Sequence, residues 1–395
     1  MNVIVIGGDG YCGWATSLYL SSRGHDVTIV DSLVRREWDR EHGLESLVPI
    51  ASTRRRIDEW SRLTGRTIRF DDADVTDYDA LCRIVRACKP DAVVHFGQQR
   101  SAPFSMIDRE HAVRTHLNNT IGNLNVLWAL HENAPRAHLV KLGTMGEYGT
   151  PNIDVEEGFI EIEHNGRSDR LPFPKQPGSF YHLTKVSDSD QIYFACRIWG
   201  LRATDLNQGV VYGTVTEQTA LSPALANRYD YDHIFGTVLN RFCVEAALGH
   251  PLTVYGRGGQ TRSFLDIRDT VRCVEIALEH PAAEGEYRVF NQFTEMFAVE
   301  ELAGRVARVA RERGIACEIA HVANPRVERE SHYYNCVNTN LRSLGLEPTL
   351  LTDETIASLI ALAQEHASRV DLSLIPSSIA WHPGEAAPED SSAVA

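Results

Sequence analysis

Val3-Ile4-Val5-Ile6-Gly7-Gly8-Asp9-Gly10-Tyr11-Cys12-Gly13 opens the chain and decides its fold. The first four residues are β-branched and form a short buried strand, and the glycines carry the backbone into a helix. At G-x-x-G-x-x-G spacing, three features need a residue without Cβ: the tight turn, the close approach of a pyrophosphate, and helix–strand packing. The phosphates would lie on unpaired amide groups at the positive helix end. A second strand, Val27–Val30, leads to Asp31, placed to accept hydrogen bonds from adenosine ribose hydroxyls. A carboxylate there repels a 2′-phosphate, so the expected cofactor is NAD rather than NADP. Arg35 and Arg36 leave alternatives open, since they could hold a phosphate, the adenine face or the neighbouring chain.

Working outward, short apolar runs alternate with helical patterns, as in βα units on a parallel sheet. Further strands are expected at Ile68–Phe70, Ala92–Phe96 and His138–Leu142, and helices at Tyr11–Ser22, Asp77–Cys88 and His111–His131. Residues 32–65 are too long for a βα connection, and with Arg35, Arg36, Arg54, Arg55, Arg56 and Trp60 they read as a structured insertion over a site. After Leu206 the rhythm changes, with helices at Phe235–Leu248 and Val299–Arg313 and strands at Leu252–Tyr255 and Tyr287–Phe290. The expected class is α/β: a Rossmann-type doubly wound parallel sheet over 1–207, and a smaller C-terminal substrate lobe over 208–382 interwoven with it. The Pro-, Glu-, Ala- and Ser-rich tail, 383–395, has nothing to bury and is expected to be disordered.

Composition narrows the function. The 395 residues carry 39 basic and 53 acidic side chains, a net charge of −14, which argues against nucleic-acid binding. No apolar run reaches membrane-spanning length, so no membrane insertion is expected. The eight cysteines are scattered, without C-x-x-C pairs or zinc spacing, so thiols in a reducing compartment and no metal are expected. The first residues enter a strand directly, with no charged n-region, cleavage site or transit segment, which reads as a protein that stays where it is made or a form already processed.

Tyr181-His182-Leu183-Thr184-Lys185 places Tyr and Lys one helical turn apart on one face. An ammonium beside a phenol lowers its pKa, so the tyrosinate can take a proton from a sugar hydroxyl as hydride leaves. Together with the glycine turn, this pair resembles the extended short-chain dehydrogenase/reductase superfamily, the nucleotide-sugar enzymes. In the 4,6-dehydratases of that group the loop after the fifth strand resembles T-D-E-V-Y-G. Here it reads Thr144-Met145-Gly146-Glu147-Tyr148-Gly149, so the two acid positions hold Met145 and Gly146 and the carboxylate comes one residue later. A plain dehydratase is disfavoured, and Gly146 is expected to leave space beside C6 of the sugar.

These segments, with Phe96–Pro103, Lys141–Asp154 and Ala203–Gly213, resemble the UDP-sulfoquinovose synthase family from Val3 to about Trp381. Gln98 stands where that pattern has an acidic residue, and Ser263-Phe264 where it has Gly-Tyr. The resemblance implies catalytic Thr144, Tyr181 and Lys185, with Glu147 or His182 as the base at C5. It implies cofactor contacts from Gly7, Gly10, Tyr11, Cys12, Gly13, Asp31, Ser32, Leu33, Arg35, Arg36, Asp74, Val75, Phe96, Gly97, Arg100 and Asn118 or Asn119. It implies substrate contacts from Gln99, Arg100, Thr144, Met145, Tyr181, Gln208, Val211, Arg241, Gln260, Thr261, Arg262 and Arg326. The implied substrates are UDP-glucose and sulfite, with NAD tightly held and recycled in a homodimer. Plant members of that family carry a chloroplast transit segment that is not seen in this sequence, which implies a prokaryotic, cytoplasmic protein. Two alternatives stand beside it: a UDP-glucose 4-epimerase or 4,6-dehydratase, and a non-catalytic dinucleotide sensor, which the intact Tyr181/Lys185 pair disfavours.

Overall fold

A computed structural model describes residues 1–329, 331–379 and 381; the tail expected at 383–395 lies outside them. The glycine turn does what its spacing predicts. Strand β1 (Asn2–Ile6) ends at Gly7, whose φ of +80° suits glycine, and helix α1 (Tyr11–Ser22) starts four residues later. A Cβ on Gly13 would stand 2.0 Å from the Gly7 carbonyl oxygen, so helix and turn touch through bare backbone. Strand β2 (Asp26–Val30) follows, then the insertion folds as helices α2 (Val34–Glu41) and α3 (Thr53–Thr64).

The βα alternation continues through β3 (Arg69–Asp71), α4 (Tyr78–Cys88), β4 (Ala92–His95), the one-turn helix α5 (Ala102–Ser105), α6 (Arg109–His116), α7 (Gly122–Asn133) and β5 (His138–Thr144). The expected single helix over His111–His131 is broken. Leu117–Ile121 forms a π-turn between α6 and α7, as happens where a helix must re-aim side chains. A hairpin of β6 (Phe159–His164) and β7 (Arg167–Pro172) precedes the long helix α8 (Phe180–Trp199), capped by the Ser179 hydroxyl.

Strand β8 (Arg202–Gln208) extends the central sheet, and β9 (Val210–Tyr212), α9 (Val238–Ala247), β10 (Leu252–Tyr255), β11 (Thr261–Asp266) and α10 (Ile267–Glu279) come after it. The strand expected in the second lobe at Tyr287–Phe290 instead returns to the sheet as β12 (Tyr287–Gln292), paired with β8. The seven strands run β12-β8-β5-β4-β1-β2-β3, each neighbouring pair parallel. The remaining strands, including β13 (Glu295–Ala298) and β14 (Ile319–Val322), form two small sheets around α9 and α11 (Val299–Glu312), over a core containing Phe242, Phe264, Leu302 and Val306. The central strands are buried on both faces, as parallel sheets require. Their C-terminal ends, Gly7, Asp31, Phe96, Thr144 and Gln208, open on one side, where ligands of such sheets bind. Among the described residues no helix is long and apolar enough to cross a membrane.

Candidate active site

One cavity of about 640 Å³ lies along those strand ends. At the glycine end it is lined by Gly7, Gly10, Tyr11, Cys12, Gly13, Asp31, Ser32, Arg35, Val75, Phe96, Gly97 and Asn118. Asp31 accepts from the amides of Asp9 (2.9 Å) and Leu33 (2.7 Å), which fixes its carboxylate at the strand end. Burial and the nearby Asp9 raise its pKa to about 6. Hydroxyl donors from a ribose would relieve that buried negative charge, so the cradle and its acid fit a dinucleotide lacking a 2′-phosphate. Arg36 does not reach the cavity wall: its guanidinium donates twice to Asp9, at 2.7 and 2.9 Å. Arg35 stacks on Phe235 at 3.6 Å and pairs with Asp39 and Asp230. Both arginines therefore already have carboxylate partners, which weakens the phosphate alternative. Leu33 serves through its amide, and Asp74 folds onto Thr76. The π-turn places Asn119 against the Gln99 amide and carbonyl, and Asn118 against the Gly97 carbonyl. Gln99 is thus a buried brace behind the wall.

Thr144, Tyr181, His182 and Lys185 line the same cavity. Thr144 ends β5 and Tyr181 opens α8, so the sheet and one helix bring them together. Burial raises the Tyr181 phenol above its ordinary range, and Lys141, Arg100 and a Thr144 hydrogen bond pull it down. Lys185 donates to the Leu142 carbonyl at 2.5 Å and to Gln98, and its pKa falls to about 8 through burial and the like charge of Lys141. Gln98 also donates to Asp188 at 2.6 Å. An amide at position 98 therefore links Lys185 to the buried Asp188 carboxylate.

Glu147 corrects an expectation. Its carboxylate is fully buried behind the cavity, accepting from Lys175 (2.6 Å), Ser189 (3.0 Å) and Lys141 (3.4 Å). Lys141 in turn pairs with Asp205 at 3.2 Å, and Tyr287 donates to that carboxylate. Glu147 is a counterion of a buried lysine and has no path to a substrate carbon. Gly146 corrects another: a Cβ there would stand 2.3 Å from His182 Nε2, so the absent side chain admits the imidazole. His182 is held through Nδ1 by the Ser179 hydroxyl at 3.0 Å, and burial with Arg326 and Arg262 nearby lowers its pKa to about 4. It is a neutral imidazole at physiological pH.

The far end of the cavity is lined by Gln208, Val211, Arg241, Gln260, Arg262 and Arg326, with Met145 nearer the catalytic group. Arg241 Nε and Gln260 Nε2 are buried with no protein partner among the described residues, donors suited to an anionic or carbonyl-bearing ligand. Thr261 lies outside this wall, between two residues that line it. Arg100 donates to Asp230 at 2.6 Å and Arg228 pairs with the same carboxylate. Arg228, His233, Phe235 and Trp381 also line the cavity. They were missed because they come from long irregular segments with neither periodicity nor a motif.

The model of the NAD dependent epimerase/dehydratase family matches residues 3–291. The UDP-sulfoquinovose synthase, chloroplastic, of Spinacia oleracea is 59% identical over 96% of this chain and 79% of its own. The UDP-sulfoquinovose synthase of Sulfolobus acidocaldarius is 43% identical over 94% of each. Among solved structures, the UDP-glucose-4-epimerase of Stenotrophomonas maltophila, with bound NAD and formylated UDP-arabinopyranose, superposes with a TM-score of 0.72 at 18% identity, over 94% of this chain and 100% of that one. That likeness shows the fold. The glycine cradle, the Tyr181/Lys185 pair and the Thr-Met-Gly-Glu loop thus sit in a chain that belongs to the NAD dependent epimerase/dehydratase family and, within it, to the UDP-sulfoquinovose synthases.

Proposed function

We propose that the protein converts UDP-glucose and sulfite into UDP-6-sulfo-6-deoxyglucose. The observation that carries this reading is the shared cavity: glycine cradle, Thr144/Tyr181/Lys185 and unpartnered uridylate-type donors line one space, and Met145-Gly146 replaces the dehydratase acid pair. When bound, NAD supplies the hydride acceptor for C4 and later the hydride donor. Tyr181, assisted by Lys185 and Thr144, takes the 4-hydroxyl proton. Oxidation must come first, because the C5 hydrogen becomes acidic only beside a C4 ketone. His182, neutral and fixed by Ser179, then takes the C5 proton and passes it to the departing C6 hydroxyl, which leaves as water, a role open to it because Glu147 is buried elsewhere. Hydrogen sulfite adds its sulfur at C6 and its proton, relayed through His182, at C5. Arg35, Arg100 and Arg228 share the two carboxylates of Asp39 and Asp230 and so leave one positive charge for the anion. Tyr181 returns its proton as C4 is reduced, which leaves the cofactor as it began and favours its retention through the cycle.

A homodimer is supported by an exposed apolar face on adjacent helices, with Leu117, Leu124 and Trp128 on one side and Leu183, Phe194 and Ile198 on the other. Eight unpaired cysteines support a reducing, cytosol-like compartment. The purified protein should be incubated with UDP-glucose with and without sulfite and the products read by mass spectrometry and by NMR, which separates the C4 epimers of equal mass. A UDP-hexose sulfonate formed only with sulfite is expected. UDP-galactose formed at a rate indifferent to sulfite, or a 4-keto-6-deoxy sugar as main product, would replace this reading with the epimerase or the dehydratase.

A further inference from the structure

Away from the cavity lining, two histidines from distant parts of the chain face one another. His42 closes the C-terminal end of α2 in the insertion, and His111 lies in the first turn of α6. Their Nε2 atoms are 3.3 Å apart. The Asp108 carboxylate lies 2.8 Å from His111 Nδ1 and accepts from its N–H, which leaves His111 Nε2 as a lone pair aimed at His42. The Glu41 carboxylate completes the group, with one ligand atom of each residue within 4.8 Å of the others. Phe104 packs edge-on against both rings, with centroids 5.6 and 4.8 Å away, and gives the site an apolar floor.

Three features point to a cation. Two nitrogens bound to one tetrahedral zinc at about 2.0–2.1 Å are about 3.3–3.4 Å apart, the separation these rings already have. A carboxylate on the far nitrogen of a ligating histidine is the usual outer partner that fixes its tautomer. The charge also leaves room for one. Arg114 holds both oxygens of Glu41 (2.8 Å) and one of Glu110 (2.6 Å), two carboxylates on one guanidinium, so negative charge remains for a cation to share.

We propose that Glu41, His42 and His111 bind one zinc-class divalent cation that clamps the insertion helix α2 to α6. No short-spacing motif marks these ligands, because His42 and His111 stand 69 residues apart in the chain. The site is separate from the chemistry, but α2 also carries Arg35 and Trp38, which line the cavity, so the clamp would steady one wall of it.

The test is isothermal titration of Zn²⁺ into tag-free, chelator-treated full-length protein, with Co²⁺ absorption reporting coordination geometry. One equivalent per chain is expected, micromolar or tighter, with tetrahedral Co²⁺ bands. His42→Ala and His111→Ala should each weaken binding at least thirtyfold. Asp108→Asn, which keeps both ligands, should weaken it about tenfold, the effect of losing an outer-sphere partner. Zinc should raise the unfolding temperature of the unmodified protein and leave that of His42→Ala unchanged. No saturable binding, or binding that both histidine variants retain, would overturn the proposal and leave the pair as an ordinary hydrogen bond.

Discussion

Two buried ionic clusters flank the cavity's chemistry, and they differ in what they can reach. The first joins Lys141, Glu147, Asp205 and Ser189 beneath β5, α8 and β8, all with essentially no exposure. None of the four lines the cavity, so the cluster acts on the substrate only through its field on Lys185 and Tyr181. The second gathers Arg36, Arg56 and Thr53 of the insertion around Asp9 of the glycine turn. Burial alone would raise the Asp9 pKa, but Arg36 and Arg56 hold it below the ordinary carboxylate value. Asp9 does line the cavity, and its amide donates to Asp31. The same ingredients therefore act in two ways: one cluster sets the field at Tyr181 and Lys185, which the proposed function makes the proton-transfer pair, and the other shapes the glycine turn and Asp31.

The first way to sharpen this contrast is to remove the group being tuned. Tyr181→Phe deletes the phenol oxygen and nothing else, so kcat should fall about 10²–10⁴-fold. UDP-glucose affinity by calorimetry should stay within a few fold. Retention of more than about a tenth of kcat would place the base elsewhere and detach the tuning cluster from catalysis.

A second test breaks the cradle. Asp9→Asn leaves Arg56, fully buried and stacked on Trp14 at 3.9 Å, without its counterion. Removing one partner of a buried pair costs about 3–5 kcal/mol, which a urea titration should register. The protein should also purify with much less NAD, measured on denatured samples, while any holoenzyme keeps a kcat near the original. Loss of kcat with NAD retained would erase the distinction between the clusters.

The smallest expected effect is a shift in a pH profile. Lys185 sits near pKa 8 because burial and then Lys141 disfavour its charged form. Removing a like charge by Lys141→Met lets Lys185 keep its proton to higher pH. The alkaline limb of kcat/KM, which falls near pH 8 as Lys185 deprotonates, should move upward by about one unit. KM for UDP-glucose should hardly change. A limb that stays put, or moves to lower pH, would show that the buried cluster is scaffold only.

How much of this was legible follows from how local each signal is. The glycine turn and α1 were readable to the residue, because strand, turn and helix follow one another without a gap. The helical placing of Tyr181 and Lys185 was readable from their four-residue spacing, though the bounds of α8 were not. Strand β12 was misplaced because its parallel pairing with β8 depends on the long crossover between Gln208 and Tyr287, which no short pattern encodes. The π-turn at Leu117–Ile121 was hidden since apolar spacing continues across it. Glu147 and His182 stood as alternatives for the base at C5, and a clue to the buried place of Glu147 stood six residues earlier: Lys141 lies mid-strand between apolar neighbours and needs a buried acid. The space given by Gly146 was foreseen, but its occupant, His182, comes from another element.

The account rests most heavily on hydride leaving C4 and returning to C4 within one cavity. UDP-glucose deuterated at C4 should be turned over with sulfite in unlabelled water and the product analysed by NMR and mass spectrometry. A UDP-hexose sulfonate that keeps the deuterium on C4 is predicted. Deuterium on C6, or its loss to a free pool of reduced cofactor, would contradict it.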